Sequence, residues 1–264
     1  MNKVARLTCI LCVVIGAWYF VCRARMGGET LLMKAAAGES PLLTKLLLLL
    51  RAKVDARNLD GETPLFYAAA NGRPANIELL LQFGADVDAK DRRGRTPLCM
   101  ATWLDNGDLR SMGLLLSHEA SASAGATAAL RCLGESIGRA EKARFLILRG
   151  GDPRALDEEG QPLLVRYAAS DDDYSDAMEV LHSVGHVDLN VKGKGGYTAL
   201  MASAKRGHPT AVKVLLQMGA VCSARADDGR TAFDMALEGS SSRYVMSRRN
   251  DYQRVIQLLK PCSE

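Results

Sequence analysis

His182 and His186 stand four residues apart, the spacing at which one helix face can offer two imidazoles to a metal ion. Gly185 lies between them, where a helix ending is expected, so the two rings are not predicted to share a face. Asp171, Asp172, Asp173 and Asp176 supply hard oxygen ligands but lack the regular spacing and glycine of a calcium loop, and read as a solvated acidic loop. His118 and His208 are isolated. Of seven cysteines, Cys9, Cys12 and Cys22 fall in an apolar leader; Cys99, Cys132, Cys222 and Cys262 are scattered, with no C-x-x-C pair. That scatter predicts no disulfide framework, and Cys99 and Cys222 read as small buried apolar side chains. No G-x-S-x-G, Walker loop or H-E-x-x-H motif occurs, and no cysteine adjoins a base. The residues therefore predict no catalysis, no metal and no cofactor.

Composition narrows the partners. Charged residues make up 24% and hydrophobic residues 48% of 264, a balance suited to an ordered chain. A net charge of +4 falls short of the clustered excess of a nucleic-acid binder, and 5% aromatics give few stacking platforms, so no nucleic-acid partner is expected.

At the start, Lys3 and Arg6 precede an uncharged run of 16 residues, from Leu7 to Cys22. Two main readings compete for it. Trp18, Tyr19 and Phe20 before the basic Arg23 suit an interfacial belt and an uncleaved membrane anchor. Ala17 or Ala24 would suit a cleaved secretory signal. A structural helix of a soluble protein is the third possibility. The chain is divided accordingly into a basic segment at 1–6, an anchor or signal at 7–22, a linker at 23–27, a repeat domain at 28–260 and a tail at 261–264.

The elements that position these residues follow a period. Gly28, Gly61 and Gly94 are 33 residues apart; Gly160, Gly196 and Gly229 continue the series, and Thr30, Thr63, Thr96, Thr198 and Thr231 each lie two residues after one of these glycines. The blocks read "GETLLMKAAAGESP", "GETPLFYAAANGRP", "GRTPLCMATWLDNG", "GQPLLVRYAASDDD", "GYTALMASAKRGHP" and "GRTAFDMALEGSSS". Each is followed by an apolar stretch such as "IELLLQF", then a Gly-Ala as in "GADVDAKD". The threonine is expected to cap a short first helix, Pro64 to occupy its first turn, and Gly72 and Gly84 to end the paired helices. A helix of about two turns is marginal alone, so neighbouring repeats must bury both its sides.

This pattern of Thr-Pro-Leu, Ala-Ala, mid-repeat glycine, Leu-Leu and Gly-Ala-Asp-Val resembles the ankyrin repeat over residues 28–260. The resemblance implies an all-α solenoid of stacked helix-turn-helix units, here about seven. Residues 125–157 lack the Thr-Pro opening, residues 171–176 carry an insertion, and the last repeat is irregular. It further implies a concave groove, formed by hairpins and inner helices, that binds another protein. Tyr67, Met100 and Trp103 follow one another on adjacent repeats in the inner-helix positions, with Arg92, Arg93 and Arg95 in the neighbouring hairpin; Tyr67, Met100, Trp103, Arg92 and Arg93 are the candidate partner-binding residues. Inward packing of Trp103 is the competing reading. The expected protein is a monomeric, membrane-anchored, non-catalytic binder of an unidentified protein. A secreted or periplasmic binder, and a regulatory subunit or enzyme with a site at the degenerate repeat, are the alternatives.

Overall fold

The computed structural model describes residues 28–103, 109–118, 122–133, 139–241 and 249–262. The leader, with its expected hydrophobic helix, and the turn at 104–107 lie outside the described residues. The described residues are helical with one isolated bridge, between Leu156 and Pro162, and they divide into two units, 1–122 and 123–264.

The first unit carries three helix pairs: α1 (Leu31–Ala37) with α2 (Pro41–Leu49), α3 (Pro64–Ala70) with α4 (Pro74–Gln82), and α5 (Pro97–Ala101) with α6 (Leu109–His118). First helices stack on first helices and second on second: α3 lies between α1 and α5, α4 between α2 and α6. Leu65, Phe66, Ala68 and Ala69 of α3 are buried, as are Ile77 and Leu80 of α4. This is why a seven-residue helix persists, since its apolar positions are covered by the repeats on either side.

Local signals set the helix starts. Thr30 Oγ1 accepts from the Met33 amide at 3.2 Å and Thr96 Oγ1 from the Cys99 amide at 3.3 Å. Thr63 departs from expectation: it is buried and its hydroxyl makes no capping bond, so α3 relies on Pro64 and on burial. The second and third repeats open with the same tight loop. The Asn58 and Asp91 side chains each accept two amides of their own loop, Asp60 and Glu62 for Asn58, Arg93 and Arg95 for Asp91. Loops then bond to each other, the Arg92 amide donating to Asp60 O at 2.9 Å. Gly61 sits there at φ 83°, where a Cβ would lie 3.2 Å from that amide nitrogen, so both the backbone and the contact require glycine.

The second unit holds α7 (Ala122–Arg131, from its second residue), α8 (Arg139–Leu148), α9 (Leu163–Ala168), α10 (Ser175–Ser183), α11 (Ala199–Arg206), α12 (Pro209–Gln217), α13 (Ala232–Ser241) and α14 (Arg249–Leu259). The degenerate repeat keeps both helices, α7 and α8. It is fastened by the buried Tyr167, whose hydroxyl donates to Leu130 O at 2.6 Å. The insertion is more than a solvated loop. Tyr174 within it is buried and stacks on Tyr167 with centroids 5.2 Å apart, and the Arg139 guanidinium lies 4.3 Å from its ring. His182 Nδ1 pairs with Val187 O at 2.9 Å, and His208 Nε2 with Ser170 O at 3.1 Å, so both rings tie backbone together.

The cysteine reading needs correction. Cys222 is half-buried and disulfide-bonded to Cys262, with Cα atoms 5.7 Å apart, and Cys99, though buried, is disulfide-bonded too. The 40-residue separation leaves no sequence pattern: α14 packs on α12 and α13 and so returns the C-terminus to the Cys222 loop. Cys262, placed in a tail by its sequence position, is thereby part of the fold.

Candidate functional site

The five candidate residues all lie in the first unit, on α3, on α5 and in the loops before and after α5. Trp103, just after α5, is 44% exposed, and the Arg95 guanidinium carbon lies 5.2 Å from its ring centroid. Met100 is half-buried one turn earlier, while Arg92 and Arg93 are exposed at the loop tip. Their backbones form the loop itself, through the Arg92 bond to Asp60 and the Arg93 bond to Asp91 Oδ1 at 2.8 Å.

Tyr67 is half-buried and its hydroxyl is fully engaged, donating to Glu29 Oε1 at 2.8 Å and accepting from Asn58 Nδ2 at 3.0 Å. Burial, then the hydrogen bond to Glu29, pushes its pKa up to about 12. Asn58 Nδ2 also reaches Glu62 Oε2 at 2.8 Å, Glu62 lies 3.8 Å from Arg95 Nη2, and Arg95 Nε donates to Asp91 Oδ2 at 2.7 Å. On the first repeat, Lys34 lies 3.7 Å from Glu29. A polar chain thus runs Lys34, Glu29, Tyr67, Asn58, Glu62, Arg95 and ends under Trp103, crossing three repeats.

Glu29 and Glu62 were missed by sequence reasoning, and Arg95 was read only as a hairpin arginine; each directly follows a periodic glycine, so the 33-residue period carried the signal. The arrangement locks side-chain orientation. Arg95 is held by two carboxylates, one of them Asp91 with its side chain 1% exposed, and so presents a fixed cation beside an exposed indole. Among the described residues no group of three or more His, Cys, Asp or Glu side chains is placed to hold a metal ion. The surface can bind, through apolar contact, cation–π stacking and hydrogen bonding.

The second unit repeats the theme. Arg230 Nη2 donates to Tyr197 Oη at 3.2 Å, and Lys205 Nζ lies 5.3 Å from the Tyr197 centroid. Arg230 also bonds Glu238 and Asp228; its side-chain and backbone hydrogen bonds, and then its charge, hold the exposed Asp228 carboxyl below the usual range.

Residues 31–125, 130–226 and 164–252 match the family model described as ankyrin repeats (3 copies). Over 98 residues the chain is 33% identical to alpha-latrocrustotoxin-Lt1a of Latrodectus tredecimguttatus, a match covering 37% of this chain and 7% of the toxin. Its structure is similar to the human ASB11 ankyrin repeat domain, with TM-score 0.68 and 20% identity over 88% of this chain and 97% of that one. It is similar also to the ankyrin repeat domain of Bcl-3, with TM-score 0.62 and 21% identity over 88% and 99%. At these identities the structural likeness concerns the fold.

Proposed function

Because the chain belongs to the ankyrin-repeat family, we propose that it is a non-catalytic protein-binding stack, held at a membrane by residues 7–22 and docking its partner on Tyr67, Met100, Trp103, Arg92 and Arg93. Trp103 carries the reading. An indole 44% exposed, with a guanidinium fixed over its ring, is the chemistry that dominates protein interfaces, and Arg95 loses little freedom on binding because Asp91 and Glu62 already hold it. The test places a photo-crosslinking residue at position 93 and, as a control, at exposed Glu78. A partner captured from position 93 alone is then titrated against Trp103→Ala. Affinity should fall by more than about 1 kcal/mol with the unfolding midpoint retained. Unfolding with no separate binding effect would make Trp103 a packing residue and remove the anchor of the site.

A second reading, a secreted or periplasmic binder freed by leader cleavage, is favoured by the Cys222–Cys262 disulfide, since such bonds persist in oxidising compartments. On the anchored reading the same disulfide favours the orientation that puts the repeats on the oxidising side. N-terminal sequencing of the mature protein decides between the two readings: a start within 18–28 means cleavage, and a start at Met1 means an anchor.

A further inference from the structure

Helix α2 turns an unusual face outward. Leu42, Leu43, Leu46, Leu49 and Leu50 are all exposed, Leu42 at 74%, Leu49 at 60% and Leu50 at 62%. At about 100° per residue they share one arc of roughly 120°, opposite the buried Thr44 and Leu48. The next repeat shows what this arc lacks. Asn76, one period after Leu43, is buried, its Nδ2 lying 2.8–3.3 Å from the carbonyls of Ala35, Ala36 and Gly38 in the preceding repeat. For Leu43 no preceding repeat exists among the described residues. Terminal repeats need a polar outer face, and this one has five leucines.

Two observations identify the occupant. Five residues, 23–27, lie between the uncharged run Leu7–Cys22 and Gly28, so a linker of at most roughly 18 Å separates the repeat from whatever that run enters. Lys45 on the helix and Arg51 and Lys53 just beyond its end are exposed cations, against the acidic Glu39 beside Leu43 and Glu78 beside Leu42. We infer that the leucine face of α2 lies in the headgroup boundary of an anionic phospholipid bilayer, the leucines dipping among the acyl chains and the three cations meeting lipid phosphates. This deepens the anchored reading above and rests on it. Nine residues are too few to span a bilayer, so α2 lies along it as an interfacial helix. The outcome is a repeat stack oriented by two contacts, the anchor and α2, instead of one.

The test uses the full chain in phosphatidylcholine–phosphatidylglycerol vesicles with brominated or ordinary acyl chains. Parent protein, Leu49→Trp and the control Asp88→Trp are compared, so that the emission of Trp18 and Trp103 can be subtracted. The emission added by Leu49→Trp is expected to be lost in brominated vesicles, and that added by Asp88→Trp to be retained. Combining Leu49→Trp with Lys45→Glu, Arg51→Glu and Lys53→Glu should restore emission in anionic vesicles. Retained Leu49→Trp emission alongside a quenched parent overturns the inference and leaves the anchor standing. Retention in both removes the anchor as well. Emission blue-shifted but indifferent to bromine means that the leader or a second copy covers the face, which also overturns it.

Discussion

Tyr67 shows how one side chain joins two repeats. Its hydroxyl donates to Glu29 of the first repeat and accepts from Asn58 of the second, so removing it takes one partner each from a carboxylate and an amide. The raised pKa gives a signature. A tyrosine ionises near 10 in the unfolded chain and at about 12 here, so its stabilising effect is complete below pH 10 and is lost as pH rises from 10 towards 12. Burial raises Tyr167 further, so an ultraviolet phenolate titration should show two late components, of which Tyr67→Phe removes the earlier and leaves the later; loss of neither in that variant would assign the earlier one elsewhere. Leu80 tests packing at the same scale. It is fully buried four residues before Gly84, as are Leu146, Leu181 and Leu215 before Gly150, Gly185 and Gly219. Leu80→Ala is expected to cost about 2–5 kcal/mol by denaturant unfolding, and a change below about 0.5 kcal/mol would place it outside the core.

At the scale of the element, the loops at Asp91 and Asp157 hold their repeats together alongside the helices. Asp91 accepts the amides of Arg93 and Arg95 and pairs with the Arg95 guanidinium while nearly excluded from water, so Asp91→Ala leaves three donors without their acceptor. A loss of about 1–3 kcal/mol is expected, with faster hydrogen exchange at the Arg93 and Arg95 amides and little change in α4. Asp157 accepts from Glu159 and Gln161 in the same way, so Asp157→Ala should give the corresponding result in the second unit. These loops show what the sequence discloses. Glycine and threonine recur because backbone sterics and helix starts are local, so the helix pairs could be placed from the period alone. Tyr67, Trp103 and their arginines were legible as surface positions for the same reason. The Glu29–Tyr67–Asn58–Glu62–Arg95 chain was not, because each bond spans a repeat boundary and depends on rotamers. Neither was Tyr174: in a run of aspartates it read as solvated, whereas stacking on Tyr167 turns it inward.

For the molecule as a whole, the ends of a stack decide how it survives, because each terminal repeat has a neighbour on one side only. At the C-terminal end α14 lays Tyr252 over Gly207 and Gly239, where a Cβ would come within 2.8 and 2.4 Å of the ring, and the Tyr252 hydroxyl donates to Lys205 O at 2.8 Å. The Cys222–Cys262 bridge then closes a loop spanning 40 residues of sequence, restricting the unfolded chain and keeping α14 from fraying. Cys262→Ser should therefore lower stability by about 2–4 kcal/mol, and the variant is preferable to reductant because Cys99 also sits in a disulfide. The loss should concentrate at the end. Hydrogen exchange should accelerate first in α14 and α13, whose repeat loses its clamp, while α3 and α4 keep their protection. If protection instead falls evenly in both units, the stack unfolds as one cooperative body and the bridge acts on it globally. If Cys262→Ser changes neither stability nor exchange, Tyr252 packing alone secures the C-terminal end, and the argument from the disulfide for an oxidising compartment loses its physical basis.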